Sequence, residues 1–151
     1  MEITIYTDGS CLRNGQEGAK AGWAAVLKCG ENWKQFSGKI EAEKPTNNIA
    51  ELTAVISAIR KIKAGTKANV TIICDSEYVT KSINEKRVHT WARNNWITAS
   101  KKPVSNVDLW KELIAVCREY KECTFSFEDV AGHSGDIWNE LCDKLAKEAA
   151  A

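Results

Sequence analysis

Residues 2–8, E-I-T-I-Y-T-D, alternate apolar and polar side chains with a period of two, the pattern of a strand. The run ends at Asp8-Gly9. A second short apolar run, N-V-T-I-I-C-D at residues 69–75, is also of strand type and also ends in a carboxylate, Asp75. In an open α/β sheet, sites form outside the carboxyl ends of parallel strands. If these two strands are parallel neighbours, Asp8 and Asp75 project from one edge. Asp8-Gly9 alone is also a common turn dipeptide.

Working outward, a Gly-rich connection (Asn14, Gly15, Gly18, Gly22) leads to A-G-W-A-A-V-L-K-C at 21–29, a second strand. Gly30-Glu31-Asn32 signals a turn, and N-W-K-Q-F-S-G-K-I at 32–40 reads as a third strand paired with the second. Pro45 stops the chain, and Thr46, Asn47 and Asn48 offer helix-capping side chains. Ile49, Leu52, Ile56 and Ile59 then recur at helical period, carrying a helix to about Lys63, with Gly65 closing it. Ser76 to Asn84 reads as a short helix, Arg87 to Val104 as irregular, and Val107 to Tyr120 as a helix. T-F-S-F-E-D-V at 124–130 is the last strand. G-H-S-G-D at 132–136 is a loop before a final helix through Trp138, Leu141, Leu145 and Ala149. This order predicts a mixed α/β sheet with helices packed on it, its later strand–helix–strand steps forming right-handed parallel crossovers.

The 151 residues are 44% hydrophobic and 27% charged with two prolines, which predicts one folded domain over residues 1–151. No apolar run approaches the ~20 residues that span a bilayer, so no membrane partner is expected. The first residues lack a basic, then apolar, secretory pattern. The six cysteines include no C-x-x-C pair and the histidines are only His89 and His133, which argues against structural zinc and for free thiols in the cytoplasm. The net charge of +1 singles out no partner, but Lys81 to Lys102 holds six basic residues against Glu85. That segment carries about +5 and leaves about −4 elsewhere, a plausible polyanion footprint.

Four carboxylates occupy telling places: Asp8 and Asp75 at strand ends, Glu51 early in the first long helix, and Asp143 in the last. Without paired His or Cys, such a set suits hard cations, Mg²⁺ or Mn²⁺. Two ions can clamp the attacking water and the leaving oxygen of a phosphodiester displacement. Each residue also has a plainer reading. Glu51 lies three after Asn48, as in a capping box, Asp75 could cap the next helix, and Asp143 could pair with Lys147.

Taken together, T-D-G-S-C-L (7–12), T-N-N-I-A-E-L (46–52), C-D-S-E-Y-V (74–79) and G-H-S-G-D-I-W-N-E-L-C-D-K-L-A (132–146) closely resemble type 1 ribonuclease H. Residues 88–110, V-H-T-W through V-D-L-W, resemble that family's basic protrusion. The resemblance covers nearly the whole chain. It implies a ribonuclease H-like fold: a five-stranded mixed sheet flanked by helices on both faces, with a basic protrusion. It also implies a two-metal-ion endonuclease acting on the RNA strand of RNA–DNA hybrids and leaving 5′-phosphate and 3′-hydroxyl ends. Asp8, Glu51, Asp75 and Asp143 would hold two Mg²⁺ ions, with Mn²⁺ as a substitute. His133 would assist proton transfer or product departure, a task suited to a neutral imidazole between Gly132 and Gly135.

For the substrate, the resemblance points to Cys11, Asn14, Asn47 and Asn48 in the minor groove, where 2′-hydroxyls distinguish RNA from DNA. Thr46 and Asn106 match a pocket for a DNA-strand phosphate, although each could be only a helix cap, and Cys11 only a small buried residue. Lys86, Arg87, Arg93, Lys101 and Lys102 would face phosphates without reading sequence. Trp91, Trp96 and Trp110 are better read as a small core beneath them than as stacking platforms. Two departures concern grip. Glu77 stands where the family often has Gln, and Lys86 or Arg87 where it often has Trp. The expected protein is a free-standing cellular or phage enzyme, monomeric, without an amino-terminal hybrid-binding module. The alternatives are a catalytically silent hybrid-binding module, which intact carboxylates disfavour, and another superfamily nuclease such as a resolvase or integrase, which should lack the T-N-N segment and the protrusion.

Overall fold

Alternation in residues 2–8 sends Ile3 and Ile5 to one face of a strand and Tyr6 to the other. Both faces find partners in the computed structural model, which describes residues 1–14, 16–130 and 137–151. The elements are β1 (Glu2–Leu12), β2 (Lys20–Cys29), β3 (Asn32–Ile40), α1 (Asn47–Arg60), β4 (Ala68–Cys74), α2 (Glu77–Asn84), α3 (Arg87–Arg93), α4 (Val107–Glu119), β5 (Cys123–Asp129) and α5 (Ile137–Ala150). They build one five-stranded sheet in the order β3-β2-β1-β4-β5. The β1–β2 and β2–β3 pairs are antiparallel, while β1–β4 and β4–β5 are parallel. Mixed pairing with helices on both faces agrees with the expected fold.

On one face, Leu52, Val55, Ile56 and Ile59 of α1 pack with Ile3, Ile5, Val70 and Ile72 of the sheet and with Trp110, Leu113 and Val116 of α4. On the other, Tyr6, Ala24, Val26 and Ile73 meet Cys142 and Ala146 of α5. Each large aliphatic side chain so buried contributes about 1.5–3 kcal/mol of transfer free energy. The helix α5 can lie close because β2 presents Gly22 beneath it. A Cβ there would sit 2.5 Å from the Ala146 carbonyl oxygen and from the Ala150 nitrogen. All six cysteines are free thiols, and burial pushes Cys74 up to about 12 and Cys117 up to about 11.

Three expectations need correction. The strand β1 does not end at Asp8-Gly9 but continues to Leu12, because Ser10, Cys11 and Leu12 still pair with Gly22, Ala21 and Lys20 of β2. Gly22, which the sequence places both in the Gly-rich connection and at the start of the 21–29 strand, lies in β2. The helix α1 ends at Arg60, short of Lys63, with Lys61 as its C-cap. The segment expected to be irregular opens with a helix, α3, and only then turns through Asn95, Trp96 and Lys101, all at positive φ, with a bridge between Ile97 and Pro103.

Candidate active site

The parallel ladder between β1 and β4 stops at the pair Thr7–Cys74. Asp8 and Asp75 are the next residues on each chain, so the two carboxylates leave adjacent strands at one edge. The register also sets Asp129 of β5 opposite Cys74, adding an acid that the sequence reading did not single out. Glu51 arrives from α1, whose first turn lies directly over Gly9. A Cβ on Gly9 would clash with the Ala50 carbonyl carbon and sit 2.6 Å from the Glu51 nitrogen. Glycine here is a condition for close approach of helix and strand. Asp8 shares the strand face of Tyr6, the side covered by α5, which carries Asp143.

The four acids are graded by depth. Asp8 is 4% exposed and Glu51 8%, whereas Asp75 and Asp143 lie open at the rim. Burial pushes Asp8 up to about 7, helped by the charges of Asp143 and Asp75 and opposed by hydrogen bonds with Glu51 and from the Gly9 N–H at 2.9 Å. Burial and then the Asp8 charge push Glu51 up to about 9. Asp75 is raised by burial, with Asp143 and Asp129 adding to it. The Glu51 Oε2 atom is buried without a hydrogen-bond partner among the described residues. Such an acceptor is costly unless something positive meets it. The donor set is oxygen throughout, which fits a hard divalent cation. As the side chains stand, no three described His, Cys, Asp or Glu groups close around one point, and the Lys147 Nζ draws the Asp143 Oδ2 to 3.0 Å. That i,i+4 pair, one of the plainer readings of Asp143, coexists with its place beside Asp8.

The proposed groove residues also converge. Asn14, Thr46, Asn47, Asn48 and Asn106 line one cavity of about 420 Å³ together with Ser105. Asn14 Oδ1 accepts from the Asn47 N–H at 2.6 Å, and Thr46 Oγ1 caps α1 by accepting from the Ile49 N–H at 3.2 Å. The Cys11 thiol donates to the Pro45 carbonyl at 3.3 Å, which ties β1 to the residue just before this cap. Asn106 occupies the N-cap position of α4 but has φ 59° and makes no side-chain cap. Ser105 was missed; its only signal was a hydroxyl adjacent to that asparagine.

The basic residues lie apart from this cavity. Lys86, at φ 59°, joins α2 to α3; Arg93 ends α3; Lys101 and Lys102 follow in the turn. All four are exposed and unpaired among the described residues, whereas Arg87 bonds Glu85 at 2.9 Å. Glu77 does not present a bare charge, since Lys81 lies 3.1 Å away. Trp110 is fully buried, Trp91 meets it edge-on at 6.0 Å between centroids, and Trp96 packs partly buried on the same core. These rings support the segment from beneath, as expected. His133 lies outside the described residues.

A family model described as RNase H matches residues 1–151. The chain is 43% identical over 148 residues to the ribonuclease H of Chlorobium luteolum, an alignment covering 98% of this chain and 94% of the relative. Among solved structures, it resembles LC9-RNase H1, described as a type 1 RNase H with the type 2 active-site motif, at a TM-score of 0.77 and 29% identity, over 98% of this chain and 71% of the other. It also resembles a foamy viral protease–reverse transcriptase solved in complex with an RNA/DNA hybrid, at a TM-score of 0.79 and 27% identity, over 98% of this chain and 20% of that one.

Proposed function

The chain belongs to the RNase H family, and from that premise we propose how its own residues carry the activity. It is a ribonuclease H, a hydrolase that cleaves the RNA strand of RNA–DNA hybrids with the help of a divalent metal. In our reading Asp8, Glu51, Asp75 and Asp143 hold two Mg²⁺ ions, replaceable by Mn²⁺. Bound there, such ions supply an activated water and charge stabilisation for in-line displacement, with 5′-phosphate and 3′-hydroxyl products.

The observation that carries this reading is the buried pair Asp8–Glu51, both raised by burial, with the Asp8 charge raising Glu51 further and the Glu51 Oε2 without a hydrogen-bond partner among the described residues. Asp8 and Glu51 form the floor. Asp75 and Asp143 form an exposed rim whose side chains would turn inward to meet the ions, Asp143 away from Lys147. His133 is assigned to proton transfer or product departure on family likeness alone.

The cavity between α1 and α4 receives substrate backbone through Asn14, Thr46, Asn47, Asn48 and Asn106, with Cys11 beside it, and the start of α1 adds the partial positive charge of a helix N-terminus. Glu77 lies beside a nucleotide contact. Lys86, Arg87, Arg93, Lys101 and Lys102 attract phosphates. The reading includes one catalytic domain, monomeric, in the cytoplasm; no helix among the described residues is long and apolar enough to cross a membrane.

The direct test incubates labelled RNA–DNA hybrid, duplex RNA and duplex DNA with Mg²⁺. Cleavage confined to the RNA of the hybrid is expected, and cutting of duplex DNA would refute the specificity. Asp8→Asn should lower kcat by about 10²–10³-fold, the order of a lost electrostatic stabiliser. Wild-type turnover by that variant would remove Asp8 from the metal site.

A further inference from the structure

Asn106, at φ 59°, makes no side-chain cap on its helix, and its amide nitrogen bonds elsewhere. Its Nδ2 donates to the phenol oxygen of Tyr78 at 3.3 Å, and that oxygen also accepts the Nε1–H of buried Trp110 at 2.9 Å. The Tyr78 ring lies against the Trp110 ring with centroids 5.5 Å apart. Tyr78 stands in the first turn of α2, three residues after Asp75. It thus links the strand end that carries a catalytic acid to the loop that carries Asn106.

Among the described residues, the cavity lined by Asn106 contains no cationic side chain. Its polar atoms are neutral, and two are already engaged: Asn14 Oδ1 by the Asn47 N–H, and the Thr46 oxygen by the Ile49 N–H. A phosphate held by neutral donors depends on their direction, whereas a lysine acts as a rotatable point charge. The Asn106 amide nitrogen carries two hydrogens. One is bound to Tyr78, which sets the plane of the amide and hence the direction of the other.

We propose that Tyr78 is a positioning residue for hybrid binding: its oxygen, steadied by the Trp110 indole, holds the Asn106 carboxamide so that the second N–H serves a backbone phosphate in the cavity. The inference rests on the reading of Asn106 as a substrate contact. Through α2, the phosphate is held in register with the strand end at Asp75.

The test uses Tyr78→Phe, which keeps the ring and removes the oxygen. Because that change strands the buried Trp110 N–H, the pair Tyr78→Phe/Trp110→Phe removes both polar partners, and a urea melt reads the cost of the smaller ring at Trp110 separately from KM. Both variants should raise KM for hybrid about three- to tenfold, the range of one lost hydrogen bond, with kcat unchanged. The dependence of hybrid affinity on salt, read by fluorescence anisotropy, should keep its slope, since no cation has been removed. Asn106→Ala should raise KM similarly, and Asn106→Ala/Tyr78→Phe should be no worse than Asn106→Ala alone. If Asn106→Ala leaves KM unchanged, the reading of Asn106 falls and the proposal with it. If Asn106→Ala raises KM while both phenylalanine variants do not, or if the effects multiply, Tyr78 does not act through Asn106 and the proposal alone is overturned.

Discussion

Glu51 is an acid placed where ionisation is unfavourable: burial and the neighbouring Asp8 both favour its protonated form. This has a sign for stability. A carboxyl raised in the folded state binds more protons folded than unfolded. Its contribution is therefore fully present below the unfolded value of about 4.5 and is lost as pH rises toward the folded value of about 9. Metal-free protein should become less stable across that window, and Glu51→Gln should relieve the loss. In EDTA at pH 8 the variant is expected to gain on the order of 2 kcal/mol over wild type, a gain that vanishes near pH 4. If the proposed metal site holds Mg²⁺ in the folded state, Mg²⁺ should raise the melting temperature of wild type and do much less for the variant. Urea melts at the two pH values, with and without Mg²⁺, give the measurement; a pH-independent gain would show that Glu51 does not titrate in this window.

Asp143 depends on where α5 lies, and α5 depends on Gly22. Gly22→Ala would press a methyl group against the Ala146 carbonyl and the Ala150 nitrogen, neither of which is the end of a flexible side chain. The helix must shift, at a cost of about 1–3 kcal/mol typical of overpacking. Mg²⁺ affinity should weaken with it, since Asp143 moves with the helix. A urea melt and a calorimetric Mg²⁺ titration should fall together; weakened folding with unchanged affinity would separate Asp143 from the metal. Gly22 also shows where sequence reading stops. Strand β3, residues 32–40, was legible from its turn and composition, and α1 from Thr46 and its recurring aliphatic residues. The extension of β1 through Ser10-Cys11-Leu12 was not, because that stretch pairs only by virtue of β2 beside it. Helix α3 buries Val88 alone, so it offers no apolar period to read, and it starts from a left-handed Lys86 rather than a capping side chain. Asp8 and Asp75 stood out at the ends of strand-like runs, whereas Glu51 and Asp143 were picked out within helices. Asp129, Ser105 and Tyr78 join the site through register and packing between distant segments, which no local pattern encodes.

Charge is separated across the whole molecule. The Lys81–Lys102 segment carries about +5 and the remainder about −4, with the acidic edge formed by Asp8, Glu51, Asp75, Asp129 and Asp143. Under the proposed function, a hybrid is drawn to the first region and repelled by the second until cations occupy it, which makes grip and chemistry electrostatically distinct. Arg93 and Lys102 offer a clean test, because both are exposed, neither has an ion-pair partner among the described residues, and neither sits at positive φ as Lys86 and Lys101 do. Arg93→Gln/Lys102→Gln should leave folding stability within about 0.5 kcal/mol, as for surface changes that break no pairing. Hybrid affinity should fall, and the slope of log affinity against log salt should shrink by roughly 0.7–0.9 for each cation that met a phosphate. The loss should be alike for hybrids of different sequence, since phosphate contacts carry no base information. Anisotropy titrations from low to high salt on two unrelated hybrids provide the readout. An unchanged slope would mean that these side chains do not meet the backbone, and would shift the grip of this enzyme onto the neutral cavity between α1 and α4.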